Sequence, residues 1–499
     1  MARSTARTPH QLTFVVLAAG VAAYALLQSL VTPVLPTIQE ELHTSQSSVT
    51  WVLTAYLLSA SIFTPILGRV GDMVGKERMF VATLAALSLG SLLAAVATSI
   101  DVMILARVIQ GIGGAVLPLA FGIIRDEFPK EKVAGAVGVI AALTAVGAGL
   151  GIVLAGPIVD ALSYHWLFWI PMIVTVLAAI GAHLFVPESP VRTPGRIGFV
   201  APVLLSGWLV ALLVAVSQAE SWGWGSPKVV GLIVLAVIIA VVWVVVEDRS
   251  EHPLIDMKMM RVPAVWTTNL VALLFGIGMY AVFAFLPAFL QTQESEGYGF
   301  GLSVTSSGLL LLPMTVMMFV LGLVSGRLAH RFGSKAVLVA GSALSVIPFV
   351  MLTVAHDETW EIGVAMALIG VGFGMAFAAM SNLIVAAVPP QQTGVASGMN
   401  ANIRTIGGSL GAAIMSSIVT AGATADGVPK ESGYTLGFGV LAGAAVLATV
   451  AAVFVPVLRA ARAGAGTGDG AGGADGVEEL PHPELALVAA GTVRGDEPE

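Results

Sequence analysis

The chain alternates between long apolar runs and short polar stretches, and the runs set its architecture. They fall near 11–33, 48–68, 79–98, 101–123, 133–157, 166–186, 199–219, 229–246, 264–290, 303–325, 336–354, 361–388, 393–421 and 434–457, fourteen in all. A helix rises about 1.5 Å per residue and a bilayer core is about 30 Å thick, so each run has the length of a spanning helix. In hydrocarbon every backbone polar group must be bonded internally, which a helix does within one segment. The expected fold class is therefore an all-α integral membrane protein with fourteen transmembrane helices. The run from Gln11 follows Arg3, Arg7 and His10 and is too long for a signal-peptide core, so it reads as span 1. From about Arg459 the pattern gives way to Gly, Ala, Asp, Glu and Pro, a composition that cannot bury a core and is expected to be disordered.

Composition agrees with a membrane chain. Charged residues make up 11% and hydrophobic residues 57%, whereas soluble domains carry about 25% charged residues. The absence of cysteine removes disulfides, thiolate metal sites and cysteine nucleophiles from consideration. The net charge of −7 says little, because much of the acid sits beyond the last span. The distribution of Lys and Arg says more. The N-terminus, the even-to-odd connections and the tail hold nineteen of them, against Lys228 and Lys430 alone in the odd-to-even connections. That bias places both termini in the cytoplasm of a multi-pass protein of the cell membrane.

An internal repeat divides the chain. Gly68-Arg69-Val70-Gly71-Asp72-Met73-Val74-Gly75-Lys76-Glu77-Arg78 reads as a charged, glycine-punctuated turn after span 2. A weaker copy, Gly326-Arg327-Leu328-Ala329-His330-Arg331-Phe332-Gly333-Ser334-Lys335, follows span 10 at an offset of 258 residues. Val146-Gly147-Ala148-Gly149-Leu150-Gly151 in span 5 is similarly matched by Ile406-Gly407-Gly408-Ser409-Leu410-Gly411 in span 13, at an offset of 260. Both contain Gly-x-x-x-Gly, whose small residues let helix backbones approach closely. The reading is two related six-helix halves, 11–190 and 261–457. An inserted pair with its linkers occupies 191–260, and 1–10 and 458–499 are cytoplasmic ends. Parallel repeats of this kind are an architecture of secondary transporters.

These residues carry a family resemblance. The chain resembles the major facilitator superfamily, and within it the fourteen-span drug:H+ antiporter family, from about residue 11 to residue 457. The 68–78 stretch matches the family's loop 2–3 motif at Gly68, Asp72, Gly75, Lys76 and Arg78. Leu105-Ala106-Arg107-Val108-Ile109-Gln110-Gly111-Ile112-Gly113-Gly114-Ala115 matches its span 4 motif. Trp51 to Tyr56 resembles the usual start of span 2, and Trp222-Gly223-Trp224-Gly225 the external loop between the inserted spans. The chain also departs from the family. The span 5 antiporter motif, Gly-Pro-x-x-Gly-Gly, is replaced by Gly151-Ile152-Val153-Leu154-Ala155-Gly156 with Pro157 after it. Leu27 stands where many members carry an acid in span 1, and Gly198 where an Asp often precedes span 7.

The resemblance implies export of amphipathic, cationic or neutral, organic molecules in exchange for protons, with no enzymatic step and no cofactor. A dedicated exporter of one metabolite, antibiotic or lipid is the alternative, and a non-transporting membrane sensor a more distant one. It also implies that Gly68, Arg69, Asp72, Gly75, Lys76 and Arg78 form a gate, with Asp72 as its latch. Gly326, Arg327, Arg331 and Gly333 form the second-half counterpart. A carboxylate at a helix N-terminus is stabilised by the dipole, and Asp72 precedes span 3. Arg107 lies about six residues inside span 4, where an arginine costs at least about 2.5–3.5 kcal/mol on insertion scales. Gln110, Gly111 and Gly114 share its helical stripe, offering a gap for a neighbouring helix or for substrate. Arg404 rides a comparable stripe in span 13. Arg107, Gln110, Asp101 and Arg404 are the coupling candidates; no protonation site follows from the sequence, with Asp160 and His183 at span ends as further titratable groups. Gly111, Gly147, Gly151, Gly156, Gly407 and Gly411 are candidate packing positions. Tyr24, Gln28, Tyr56, Asn269, Tyr280, Phe283, Phe285, Asn382 and Asn400 are candidate cavity residues, with Met314, Met317 and Met318 as adaptable apolar surface.

Other classes are poorly served. A nucleotide-driven pump needs Gly-x4-Gly-Lys-[Ser/Thr], and Gly71 to Lys76 is one residue too short. A membrane enzyme needs His or acids clustered at depth, and a channel a repeated filter; the sequence offers neither. The expected partners are a small-molecule substrate, the proton and the bilayer, with no metal and no nucleic acid, acting as a monomer.

Overall fold

Fourteen helices long and apolar enough to cross a membrane follow one another along the chain. They are His10–Val34, Trp51–Val74, Lys76–Ala95, Ile100–Glu127, Lys130–Ala161, Trp166–Phe185 and Val200–Ala219, then Pro227–Arg249, Pro263–Gln291, Thr305–Phe332, Ser334–Val354, Thr359–Ala387, Thr393–Thr420 and Glu431–Val453. The computed structural model describes residues 10–44, 46–189, 198–251, 253–421 and 429–456. Expectations for the N-terminal residues, for the linker at 190–197 and for the tail from 457 onward lie outside the described residues. The helices are called spans 1 to 14 in this order.

The structure corrects the reading of residues 68–78 as a turn. Span 2 stays helical to Val74, and the connection to span 3 is the single residue Gly75. Gly75 N–H still donates to Gly71 O at 3.0 Å, and its φ of +128° is one that side-chain-bearing residues rarely adopt. Span 10 likewise continues to Phe332 and turns at Gly333, φ +86°. Hydropathy marks where apolar surface stops; the i→i−4 ladder continues until a residue breaks it.

Each half buries its own core. Leu17, Leu27, Phe80, Leu84 and Phe168 belong to one cluster drawn almost wholly from spans 1–6. Phe275, Phe289, Phe349, Phe373 and Phe438 belong to another, drawn almost wholly from spans 9–14. Spans 7 and 8 pack together, with Trp208 and Trp243 ring centroids 6.0 Å apart. Leu205 and Leu209 of span 7 pack with Val395 and Met399 of span 13. Only 17% of the apolar window of span 8 is buried, so its remaining surface is left for lipid.

The halves meet along two seams of small residues. Span 5 uses two faces. A methyl group at Gly147 would overlap Ala25 and one at Gly151 would overlap Ser29, both on span 1. On the other face, methyl groups at Gly149 and Gly156 would collide with Thr315 and Thr305 of span 10. Span 10 answers with Gly326, where a Cβ would lie 2.9 Å from Gly135 Cα. At the second seam, a Cβ on Gly68 of span 2 would lie 2.9 Å from Gly394 O of span 13. Gly407 and Gly411 of span 13 press on the backbone of span 9 at Leu273 and Ile277. All six packing candidates sit at close helix approaches, but only Gly156 faces the other half; Gly111, for example, meets Ser59 within its own. Without a hydrophobic driving force between helices in lipid, this van der Waals contact is what holds them.

Candidate functional site

Span 4 is broken where it approaches the molecular centre. Its α-helix ends at Gly111, a 3-10 turn covers Ile112–Ala115, and a second α-helix runs Val116–Glu127. Pro118 has no N–H to donate to Gly114 O and its ring crowds that turn, so the break has a local cause. The stripe of small residues before it accepts span 2. A Cβ on Gly111 or Gly114 would overlap Ser59 or Thr64. The gap beside Arg107 is therefore filled by a neighbouring helix and not left for substrate.

Arg107 itself is fully buried and held within its own half. Its Nε donates to Val52 O at 3.0 Å, Nη1 donates to Gln110 Oε1 at 2.8 Å, and the guanidinium lies 4.2 Å from the Tyr56 ring centroid. Gln110 Nε2 passes the network on to Ser91 Oγ at 3.1 Å. Nη2 has no hydrogen-bond partner among the described residues. Asp101 is exposed in the first turn of span 4 and takes no part in this network.

A cavity of about 210 Å³ lies between the halves. Gln28, Tyr56 and Thr144 line it from spans 1, 2 and 5, and Tyr280, Phe283 and Arg404 from spans 9 and 13. Gln28 Nε2 donates to Tyr280 Oη at 2.8 Å, a bond that joins the two halves across the cavity. Arg404 rests over Phe377, 5.1 Å from the ring centroid. Next to the main space is a smaller polar one of about 30 Å³, to which Tyr24, Ser61 and Asn402 also contribute. Four of the cavity expectations, Gln28, Tyr56, Tyr280 and Phe283, thus face the main space, and Tyr24 the smaller one.

The other cavity expectations are corrected. Asn400 Nδ2 donates to Asn269 Oδ1 at 2.9 Å, a buried pair joining spans 9 and 13 away from both spaces. Asn382 lines a separate depression beside Gly333 and Lys335, and Phe285 lines neither central space. Met314 and Met318 are buried where Gly370 and Gly374 press on their backbone, while Met279 is the methionine on the cavity. The sequence reading missed Thr144, Ser381 and Asn402, because a Thr, Ser or Asn on an apolar helix carries no mark of the direction it faces.

At the end of the bundle that carries Arg69, Lys76 and Arg78, called here the basic face, the halves are clasped. Asp72 is 1% exposed and Lys76 1% exposed. Lys76 Nζ lies 3.4 Å from Asp72 Oδ1 and 2.7 Å from Asp126 Oδ2, and the Ser189 hydroxyl donates to the same Asp126 oxygen. Two carboxylates and one ammonium share this buried space. Asp72 does not serve the start of span 3, as the sequence suggests. It faces the N-terminus of span 13 in the other half, where a Cβ on Gly394 would lie 3.2 Å from each carboxylate oxygen. Arg125 adds a second clasp, donating from Nη1 to Val385 O and, at 2.8 Å, to Thr393 Oγ1. On the rim, Arg78 pairs with Glu188 at 3.1 Å and His183 lies 3.6 Å from Glu77. Asp126 and Arg125 were not singled out from sequence, since their partners stand 50 to 268 positions away.

The second-half copy lacks the clasp. The residue 258 positions after Asp72 is His330, which is exposed, as are Arg327 and Arg331. Arg331 lies over Phe332 at 5.3 Å. Only the glycines keep their roles, Gly326 at the seam with span 5 and Gly333 at the turn. At the opposite end of the bundle His356, Asp357 and Glu431 bring one ligand atom each within 4.8 Å of one another. The sequence reading expected no metal and did not foresee this grouping; two of the three are exposed acids of a kind common on protein surfaces.

Comparison with known proteins fits this geometry. The model of the Major Facilitator Superfamily matches residues 17–412. The multidrug transporter protein MdtP of Bacillus subtilis is 27% identical over 75% of this chain and 69% of its own length. The tetracenomycin C resistance and export protein of Streptomyces glaucescens is 28% identical, over 81% and 74%. The puromycin resistance protein pur8 of Streptomyces alboniger is 30% identical, over 78% of each. The crystal structure of the human organic anion transporter MFSD10 (TETRAN) superposes with a TM-score of 0.66 over 89% of this chain and all of its own, at 16% identity. At that identity the likeness carries the fold alone.

Proposed function

We propose that this chain, which belongs to the Major Facilitator Superfamily, exports amphipathic organic compounds from the cytoplasm in exchange for protons. Membership of that family makes it a multi-pass membrane transporter. The observation that carries the rest is the pairing of a cavity lined by both halves with a clasp at one end of it. Such a site changes its access when the halves rock about it. In the present arrangement the basic face is shut. The excess of Lys and Arg on that face supports placing it, and both termini, in the cytoplasm of the cell membrane. Both walls of the cavity come from one chain, which supports a functional monomer.

Relatives named for multidrug transport and for resistance to single antibiotics support an export role. A dedicated exporter of one compound is the narrower version of the same reading. Proton exchange is supported by the buried Asp72–Lys76–Asp126 cluster, where a change of charge is coupled to the contact between halves. The test is accumulation of amphipathic fluorophores in everted vesicles under an imposed inside-acid pH gradient. Accumulation that collapses with a protonophore is expected. Accumulation indifferent to the gradient overturns proton exchange, and none above vector-only vesicles overturns export.

A further inference from the structure

The described residues that line the main cavity carry a single formal charge, and it is positive. Among the described residues lining it, Arg404 is the only ionisable one besides tyrosines, and none is Asp or Glu. The same holds for the smaller space beside it. Two other buried cations, Lys76 and Arg107, line neither space. Lys76 stands between two carboxylates, and Arg107 donates from Nε to Val52 and from Nη1 to Gln110. Arg404 has the face of Phe377 beneath it and the hydroxyls of Tyr24 and Tyr280 within electrostatic reach. Among the described residues no carboxylate pairs with it.

A guanidinium stays charged at any physiological pH and presents a planar fork of donors that matches a carboxylate or sulfonate. Held in an apolar surround without a counter-ion, it favours an anion and disfavours a cation. The rest of the wall is apolar, with Leu53, Leu57, Met279 and Phe283 among its members. We propose that the cavity takes amphipathic organic anions, the carboxylate or sulfonate docking on Arg404 and the aromatic or aliphatic body lying on that apolar wall. This rests on the transporter reading and narrows its cargo, against the cationic or neutral cargo that the family resemblance implies.

Three probes of one shape test it: a biphenyl carboxylate, its methyl ester and the matching trimethylammonium cation. Binding to the purified full-length protein is measured by calorimetry, and flux in proteoliposomes separately. The carboxylate should bind at least about tenfold more tightly than either other probe. Arg404→Gln should abolish that preference while keeping affinity for the ester, and Arg404→Lys should retain part of it. Should Arg404→Gln fail to fold, Ser381→Asp, which adds an acid to the cavity wall, should turn the preference toward the cation. No binding of the carboxylate, equal binding of the three probes, or a preference that survives loss of Arg404 overturns the anion proposal. Arg404-dependent binding without flux of any probe keeps the anion site and overturns the transporter reading; flux of the cation alone does the reverse.

Discussion

Removing the charge of Asp72 should open the basic face without unfolding the protein. Asp72→Asn keeps the size of the side chain. Lys76 is on the same half as Asp72, so the 3.4 Å contact between them is present whether the halves are closed or apart and does not bias that equilibrium. What is lost on parting is the contact of the carboxylate with the N-terminus of span 13 at Gly394. A carboxylate at a helix N-terminus gains about 0.3–1 kcal/mol, and up to about 2 kcal/mol when partly buried. Neither carboxylate oxygen of Asp72 accepts a hydrogen bond from that terminus, which keeps the gain in the lower range. At about 1.4 kcal/mol per factor of ten, a gain of about 0.3–1 kcal/mol means the open population should rise by roughly 2- to 5-fold. The chain has no cysteine, so a single introduced thiol reports without background. Ser397, buried near this seam on span 13, becomes the reporter as Ser397→Cys. In nanodiscs, where both faces meet solvent, maleimide labelling should be slow in the otherwise unaltered protein and roughly 2- to 5-fold faster with Asp72→Asn. Total labelling after denaturation should be equal in both, and transport should fall strongly in the variant. An unchanged labelling rate would refute the latch and leave Asp72 as an anchor of topology.

Lys76→Ala should be far more harmful than Asp72→Asn, because it leaves Asp72 and Asp126 buried and unpaired at a cost of about 3–5 kcal/mol; thermal unfolding in detergent should show a clear drop, and an unaltered midpoint would contradict the burial of that cluster. Arg107→Lys keeps the charge but loses the fork that serves Val52 and Gln110, a loss of about 1.5–3 kcal/mol; pH-driven flux should be poorly rescued, and Arg107→Ala should abolish it while substrate binding persists. A periplasm-dependent reporter enzyme fused after Arg459 should be inactive and a cytoplasm-dependent one active; the opposite result would overturn the assignment of both termini to the cytoplasm.

The number of spans, their approximate limits and the repeat were legible in the sequence because each is set locally. A run of about 20 apolar residues has one stable form in a bilayer, and Gly147, Gly151, Gly407 and Gly411 announce close approach by having no side chain. The tertiary structure decided what those approaches meet. Span 5 uses alternate glycines for spans 1 and 10, which a single stripe of small residues does not disclose. Charged groups behaved in the same way. The sequence marked Asp72, Lys76 and Arg107 as charges at or within spans, and burial made each of them demand a partner. The partners, Asp126 for Lys76, Val52 O for Arg107 and the start of span 13 for Asp72, lie tens to hundreds of positions away. Only the fold brings them together. The cavity shows the limit most sharply: a Gln, Tyr or Asn in an apolar helix reads alike whether it faces a neighbour or an open space. Gln28 and Tyr280 meet across the centre, whereas Asn400 donates to Asn269 out of its reach, because the rotation of each helix is fixed by the packing of its neighbours and not by its own residues.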